Sequence, residues 1–299
     1  MKKLLIQQEL AKLLLQMEDG DRLPPIRKLA ERFRSSAGSV HAALSSLEEK
    51  GAVVIEGRGH MGSYVKARSF GRLWFEAEKE PFVTAFTLPT NRRFEGLATG
   101  LHKAFLEAGI EIFSIFIRGS HTRIQALRQN RCHVAVMSTY AASELLNENE
   151  EIIFELPPGS HVSGHRVFYN PDPINEPLRV AIDTSSADQE RLTRLEFDGN
   201  SVEFVKTTFM QIEHLLREDH IDAAVWTIDD MEFRKITGIA NRPLSDHVQN
   251  EIGNAITSAS LVARKGDSAV EAVVENVLNK DSIMRIQKDV IDGKIVPEY

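Results

Sequence analysis

Leu4, Leu5, Ile6, Leu10, Leu13, Leu14 and Met17 recur at the spacing of one helical face, and Gly20 follows them, which predicts a helix over residues 4–17. A second pattern starts at Pro24-Pro25, residues that fit only the opening of a helix. Leu29, Ala30 and Phe33 then line one face and predict a short helix over 26–33. Ser35 and Ser36 supply side-chain oxygens to cap the next helix, whose inward face is Val40, Ala43, Leu44 and Leu47 and whose stop is Gly51. Short β-runs at 53–56 and 64–66 flank Gly57-Arg58-Gly59-His60-Met61-Gly62-Ser63. Helices followed by a glycine-punctuated hairpin in this order form a winged helix-turn-helix. The segment is therefore expected to bind DNA, with the helix after Ser36 reading the groove and the hairpin lying against phosphates.

From residues 67–71 onward the period changes. Strands at 83–87, 112–117 and 134–138 alternate with helices at 94–108, 123–129 and 141–146. Pro157, Pro158, Gly159, Pro171, Pro173 and Pro177 interrupt the pattern. It then resumes with strands at 180–183, 202–205 and 223–227 and helices at 187–195 and 210–217. Such alternation predicts parallel sheets covered by helices. Ile124-x-x-Leu127 before Ala135-Val136-Met137-Ser138 echoes Ile212-x-x-Leu215 before Ala224-Val225-Trp226-Thr227, each ending a strand on a hydroxyl residue. Two facing lobes follow. The expectation is an α/β chain: a winged helix over 1–68, then a two-lobed domain over 72–299. Lobe I takes about 72–170 and 258–299, and lobe II about 177–257. The apolar run at 261–265 and the amphipathic stretches at 269–278 and 283–290 are expected to return to the first lobe.

The 299 residues and 42% hydrophobic content suit two full cores, and no apolar run approaches a membrane span. Gln7, Gln8, Glu9 and Lys12 break any secretory signal, and the single Cys132 reads as a small core residue, so a cytoplasmic protein is expected. Twelve Lys and Arg against eight Asp and Glu give residues 1–68 a charge of +4, which leaves −11 on the rest of a chain whose net charge is −7. The positive charge sits where the helix-turn-helix requires it.

Candidate DNA contacts are Arg27, Lys28, Arg34, Ser36, Ser39, His41, Arg58 and His60, and the partner is double-stranded DNA. In open α/β sheets ligands bind at the carboxyl ends of strands beside helix amino termini. That rule selects Thr87, Arg118, Ser138, Thr139, Ser185, Ser186, Asp188, Gln189 and Trp226 for a small-molecule effector. Arg118 would take an anionic group, and Asp188 leaves room for an amine. His161 and His165 have the four-residue spacing of metal ligands, but Gly164 and the nearby prolines argue for loop and strand, so no metal is expected. Asp229-Asp230 and the acidic run 148–151 read as solvated faces or a helix start. Neither a P-loop nor a nucleophile elbow is present, so no catalytic residue, cofactor or enzymatic activity is expected.

Leu23-Pro24-x-x-Arg27-x-Leu29-Ala30 and the hairpin Arg58-Gly59-x-x-Gly62-Ser63-Tyr64-Val65 resemble the GntR family of bacterial repressors. Over its whole length the chain resembles the YhfZ-type branch of those regulators. The matching features are Arg34-Ser35-Ser36-x-Gly38, Gly62-Ser63-Tyr64, Glu95-Gly96-Leu97-Ala98-x-Gly100-Leu101, Arg118-Gly119, Ser186-Ala187-Asp188-Gln189 and Asp222-Ala223-x-x-Trp226. The resemblance implies a winged helix joined to a domain like the type 2 periplasmic binding proteins, working as a ligand-responsive homodimer in the cytoplasm. One departure stands out: Ala37 and His41 occupy positions where typical GntR proteins carry base-reading Arg, which leaves Ser39, His41 and Arg58. The alternatives are an architectural DNA binder with an inactive ligand domain, and an enzyme on a two-lobed scaffold of the kind prephenate dehydratases resemble.

Overall fold

The computed structural model describes residues 2–78, 80–171, 176–230 and 238–299. They form two compact units, one from residues 1–83, 102–113 and 266–279 and the other from 84–101, 114–265 and 280–299.

In the first unit, α1 (Lys2–Leu15), α2 (Ile26–Arg32) and α3 (Ala37–Glu49) precede the hairpin of β1 (Val53–Gly57) and β2 (Ser63–Arg68), whose strands pair antiparallel. Leu10, Leu14, Leu29, Val40, Leu47 and Val65 fill the core at 1% exposure or less. Ser36 caps α3 by accepting the Ser39 N–H at 3.1 Å. The winged helix therefore folds as its hydrophobic pattern predicts. A further helix, α4 (Phe70–Glu78), lies where the sequence suggested only a boundary, and it packs on α1. Its signal was present: Phe70, Leu73, Trp74 and Ala77 are spaced as one helical face. The helix Ser268–Val277 packs against both α1 and α4.

The remaining strands form two five-stranded sheets. One has the order β4-β3-β5-β12-β6, from β3 (Phe82–Phe86), β4 (Ile112–Phe116), β5 (Val134–Ser138), β6 (Glu150–Glu155) and β12 (Ala259–Arg264). The other has the order β11-β7-β10-β8-β9, from β7 (His165–Tyr169), β8 (Leu178–Ile182), β9 (Val202–Lys206), β10 (Ala223–Thr227) and β11 (Ala240–Pro243). Both sheets are mixed, which corrects the all-parallel expectation. The pairs β3·β5, β8·β9 and β8·β10 are parallel, whereas β12 runs antiparallel to β5 and β6, and β7 to β10 and β11. The strands missed in the sequence, β6, β7 and β11, all run antiparallel to neighbours, and two of them carry weak signals. β6 is flanked by glutamates and β11 is Ala-Asn-Arg-Pro; both lie at sheet edges, where charge and proline are tolerated.

Helices α5 (Arg92–Glu107), α6 (Ser120–Arg128), α7 (Thr139–Leu145), α8 (Ala187–Glu196) and α9 (Ile212–Arg217) follow strands as expected. The continuous apolar run of β10 is explained by burial on both faces. Ala223 and Val225 pack with Val167, Val180 and Leu192, while Ala224 and Trp226 pack with Phe168 and Ile212.

Candidate functional site

A cavity of about 90 Å³ lies within the second unit, where strand carboxyl ends meet helix starts. Thr87 follows β3, Gly119 and Arg123 sit at the head of α6, and Asp183, Ser186, Asp188 and Gln189 span the turn from β8 into α8. Trp226 and Thr227 end β10, His165 begins β7, and Phe94 lies on α5.

The turns on either side of the cavity are tied together. Ala187 N–H donates to Ser120 Oγ at 3.1 Å, and Ser138 Oγ, which also caps α7, donates to Asp188 at 2.7 Å. Gly119, at φ +81°, lets the α6 turn approach so closely that an added Cβ would lie 2.5 Å from the Ser185 carbonyl oxygen. Gln189 binds β8 to β10, accepting the Asp183 N–H and donating to the Val225 carbonyl at 3.1 Å.

Charge is distributed differently from the expectation drawn on Arg118. Arg118 Nη1 donates to both Asp183 oxygens at 3.1 and 3.0 Å and to Ser185 Oγ at 2.9 Å, so a carboxylate already answers it, and it does not line the cavity. Arg123 does line it and is only 4% exposed. Its Nη1 donates to the Ile117 carbonyl at 3.0 Å, while its buried Nε has no partner. Burial lowers its pKa to about 10, opposed by the charge of Asp188, so it stays a cation at neutral pH. Asp188 is 8% exposed. Burial pushes its pKa up to about 6, against the Ser138 hydrogen bond and the Arg123 charge. His161 and His165 are driven down to about 3 and about 4 by burial and are neutral imidazoles; the Nδ1 of each is buried without a partner. Among the described residues no three metal-ligating side chains come together.

Of the ligand residues expected from sequence, the cavity brings together Thr87, Ser186, Asp188, Gln189 and Trp226. Arg118 and Ser185 are bound to Asp183, Ser138 supports Asp188 from behind, and Thr139 hydrogen-bonds Ser260 at 2.8 Å. Sequence reading missed Arg123, His161, His165 and Asp183 as cavity residues. A signal for Arg123 existed: it shares a helical face with Leu127, and an arginine in an apolar stripe needs a reason. Asp229 and Asp230, read as solvated faces or a helix start, stand at a helix start and are buried. Asp229 pairs with Arg93 at 2.9 Å, and Asp230 accepts from Asn91 at 2.7 Å and from Trp226 Nε1 at 3.0 Å.

In the first unit the candidate DNA contacts lie on exposed ground. The Arg27 side chain is 90% exposed and only loosely paired with Glu31 at 3.4 Å; Lys28, Arg34, His41 and His60 are exposed. Arg34 takes φ +48° in the turn between α2 and α3. Ser36 and Ser39 lie at the head of α3, their hydroxyls 2.8 Å apart. On the hairpin, Arg58 pairs with Glu56 at 2.7 Å and stacks over Tyr64 at 4.4 Å, and the ion pair holds Glu56 below the usual carboxylate range.

A winged helix-turn-helix followed by an α/β domain of two sheets is an architecture that fits a transcription regulator. The chain belongs to the YhfZ family: the family model for the YhfZ C-terminal domain matches residues 70–299, and a helix-turn-helix domain model matches residues 18–65. The uncharacterized protein YhfZ of Escherichia coli (strain K12) is 31% identical over 291 residues, 97% of this chain and 95% of that one. The crystal structure of YhfZ from Shigella flexneri matches 77% of this chain and 98% of its own at a TM-score of 0.63 and 27% identity. The VFT2 domain of Bordetella pertussis BvgS shares the fold over 73% of this chain and 96% of its own, at a TM-score of 0.50 and 15% identity. No helix among the described residues is long and apolar enough to cross a membrane.

Proposed function

We propose that this chain is a cytoplasmic transcription regulator, acting as a homodimer on a palindromic operator, whose DNA affinity is set by a small polar molecule in the cavity of the second unit. In this reading α3 enters the major groove in the manner its GntR-like motif implies. Arg27, Lys28, Arg34 and Arg58 contact phosphate, and Ser39 and His41 face base edges. The functional boundary falls near residues 68–72, and the chain is not an enzyme. The observation that carries the effector half of the proposal is the cavity itself. It keeps a buried guanidinium and a buried carboxylate at strand ends and helix starts, an arrangement that adds nothing to a purely architectural DNA binder.

The test is operator binding by the full chain, followed by footprinting and by fluorescence anisotropy with and without candidate effectors. Protection of two half-sites about 10 bp or a multiple apart is expected. Ligands that raise the melting temperature should also change operator affinity by a factor equivalent to about 1–3 kcal/mol. Protection of a single asymmetric half-site would remove the dimer. Ligands that bind without moving operator affinity would favour the architectural reading.

A further inference from the structure

We infer that the cavity takes a small zwitterion, an amino acid of modest size, with its carboxylate on Arg123 and its ammonium on Asp188. This rests on reading the cavity as the effector site. It goes further by fixing the ligand's charge pattern and the two residues that read it.

Among the described residues neither Arg123 nor Asp188 touches an opposite charge. Arg123 spends Nη1 on a backbone carbonyl and leaves Nε unpaired, and Asp188 receives a single neutral hydroxyl from Ser138. Each feels the other electrostatically, yet no ion pair joins them within 4 Å. Both line the same cavity, and both are more than nine-tenths buried. Two opposite charges withdrawn from water and held apart is a costly arrangement unless something bridges them.

The other charge classes fail on the same residues. An anion would answer Arg123 but crowd Asp188, a cation would do the reverse, and a neutral molecule would leave both desolvated. His161 and His165, driven neutral by burial, add no net charge; of the other carboxylates that line the cavity, Asp183 is held by Arg118, and Asp230 accepts from Thr90, Asn91 and Trp226 Nε1. Arg118 cannot serve in place of Arg123 because Asp183 already holds it. The cavity of about 90 Å³ suits a small ligand, and Phe94, Phe209 and Trp226 offer apolar surface to a short side chain.

The experiment is a thermal-shift and calorimetric series on the full chain. The proteinogenic amino acids are compared with charge-truncated analogues: propionate, which lacks the ammonium, and propylamine and alaninamide, which lack the carboxylate. The expected result is that at least one small amino acid stabilises the wild type, while the truncated analogues bind about tenfold or more weakly. Arg123→Met should abolish discrimination between the amino acid and its amide, and Asp188→Asn should abolish discrimination between the amino acid and its carboxylate analogue. Should either variant fail to fold, the wild-type series still decides. Equal binding of propionate or alaninamide, or no response to any amino acid, overturns the inference. Amino-acid binding that leaves operator affinity unchanged would defeat the regulatory reading and leave this one standing.

Discussion

Asp188→Asn should stabilise the ligand-free chain at neutral pH and leave it unchanged near pH 4. Burial raises the folded-state pKa of Asp188 from 3.8 to about 6, so the folded chain holds this proton more tightly than the unfolded chain does. As pH rises through this window, the proton leaves the unfolded chain first. The Asp188 contribution therefore becomes steadily less favourable between about pH 4 and pH 6 and is constant above it. A shift of roughly two pH units corresponds to about 3 kcal/mol. Asparagine copies the protonated acid in shape and accepts the Ser138 hydroxyl, so it matches the wild type at low pH and avoids the cost of the buried charge at high pH. Loss of the countercharge to Arg123 is already contained in that shift. Urea denaturation at pH 4, 5, 6 and 7 gives the comparison directly. The expected stability difference grows from near zero to about 3 kcal/mol in favour of the variant. A difference that is flat with pH, or that favours the wild type at pH 7, would refute the claim that Asp188 is an uncompensated buried carboxylate. A bound ammonium should reverse the preference at neutral pH.

Three further predictions concern single side chains. Gly119→Ala places a Cβ 2.5 Å from the Ser185 carbonyl at φ +81°. It should cost about 2–4 kcal/mol of stability in denaturant titrations, and a change under about 0.5 kcal/mol would show that the α6 turn relaxes freely. Ser36→Ala removes the cap of α3 and should cost about 1 kcal/mol in stability while weakening DNA binding, with circular dichroism separating lost helix from lost contacts. Arg58→Ala should weaken all DNA sequences about equally and reduce the log-log salt slope by roughly one per subunit; unchanged slope with lost base discrimination would make Arg58 a sequence reader.

The fold was legible wherever one period dominated. The winged helix and the helices and parallel strands of the following domain lie within a few residues of their predicted positions, because each buries a face or a run that the hydrophobic pattern marks. What was not legible lacked such a mark. β6 and β11 are edge strands that keep Glu150, Glu155, Arg242 and Pro243, and their pairing with β12 and β7 depends on distant segments. α4 has a clear apolar face, but it follows directly on the wing hairpin, where the change of period marks a joint between domains. The helix Ser268–Val277 shows a related limit. An amphipathic face says that something is covered, not which of two cores it covers.

The site divides along the same line, between what local order determines and what pairing determines. Strand ends and helix starts are local, and they placed Thr87, Ser186, Asp188, Gln189 and Trp226 around one cavity. Which arginine remains available is decided by which carboxylates reach it, and those come from distant parts of the chain. Arg118 meets Asp183 across such a gap and is neutralised. Arg123, on the helix that follows, is turned into the cavity with a backbone carbonyl as its hydrogen-bond partner. By position alone Arg118 resembles a ligand group because it ends a strand, and Arg123 resembles an ordinary helix residue. The physical distinction is the unpaired charge. A paired arginine can give up its carboxylate to a ligand only at the cost of leaving that carboxylate buried alone, whereas Arg123 gains a partner and loses none. Arg118→Met should therefore lower stability more than it lowers the specificity of ligand binding, and Arg123→Met should do the reverse. Denaturation and calorimetry on the same two variants measure that crossing.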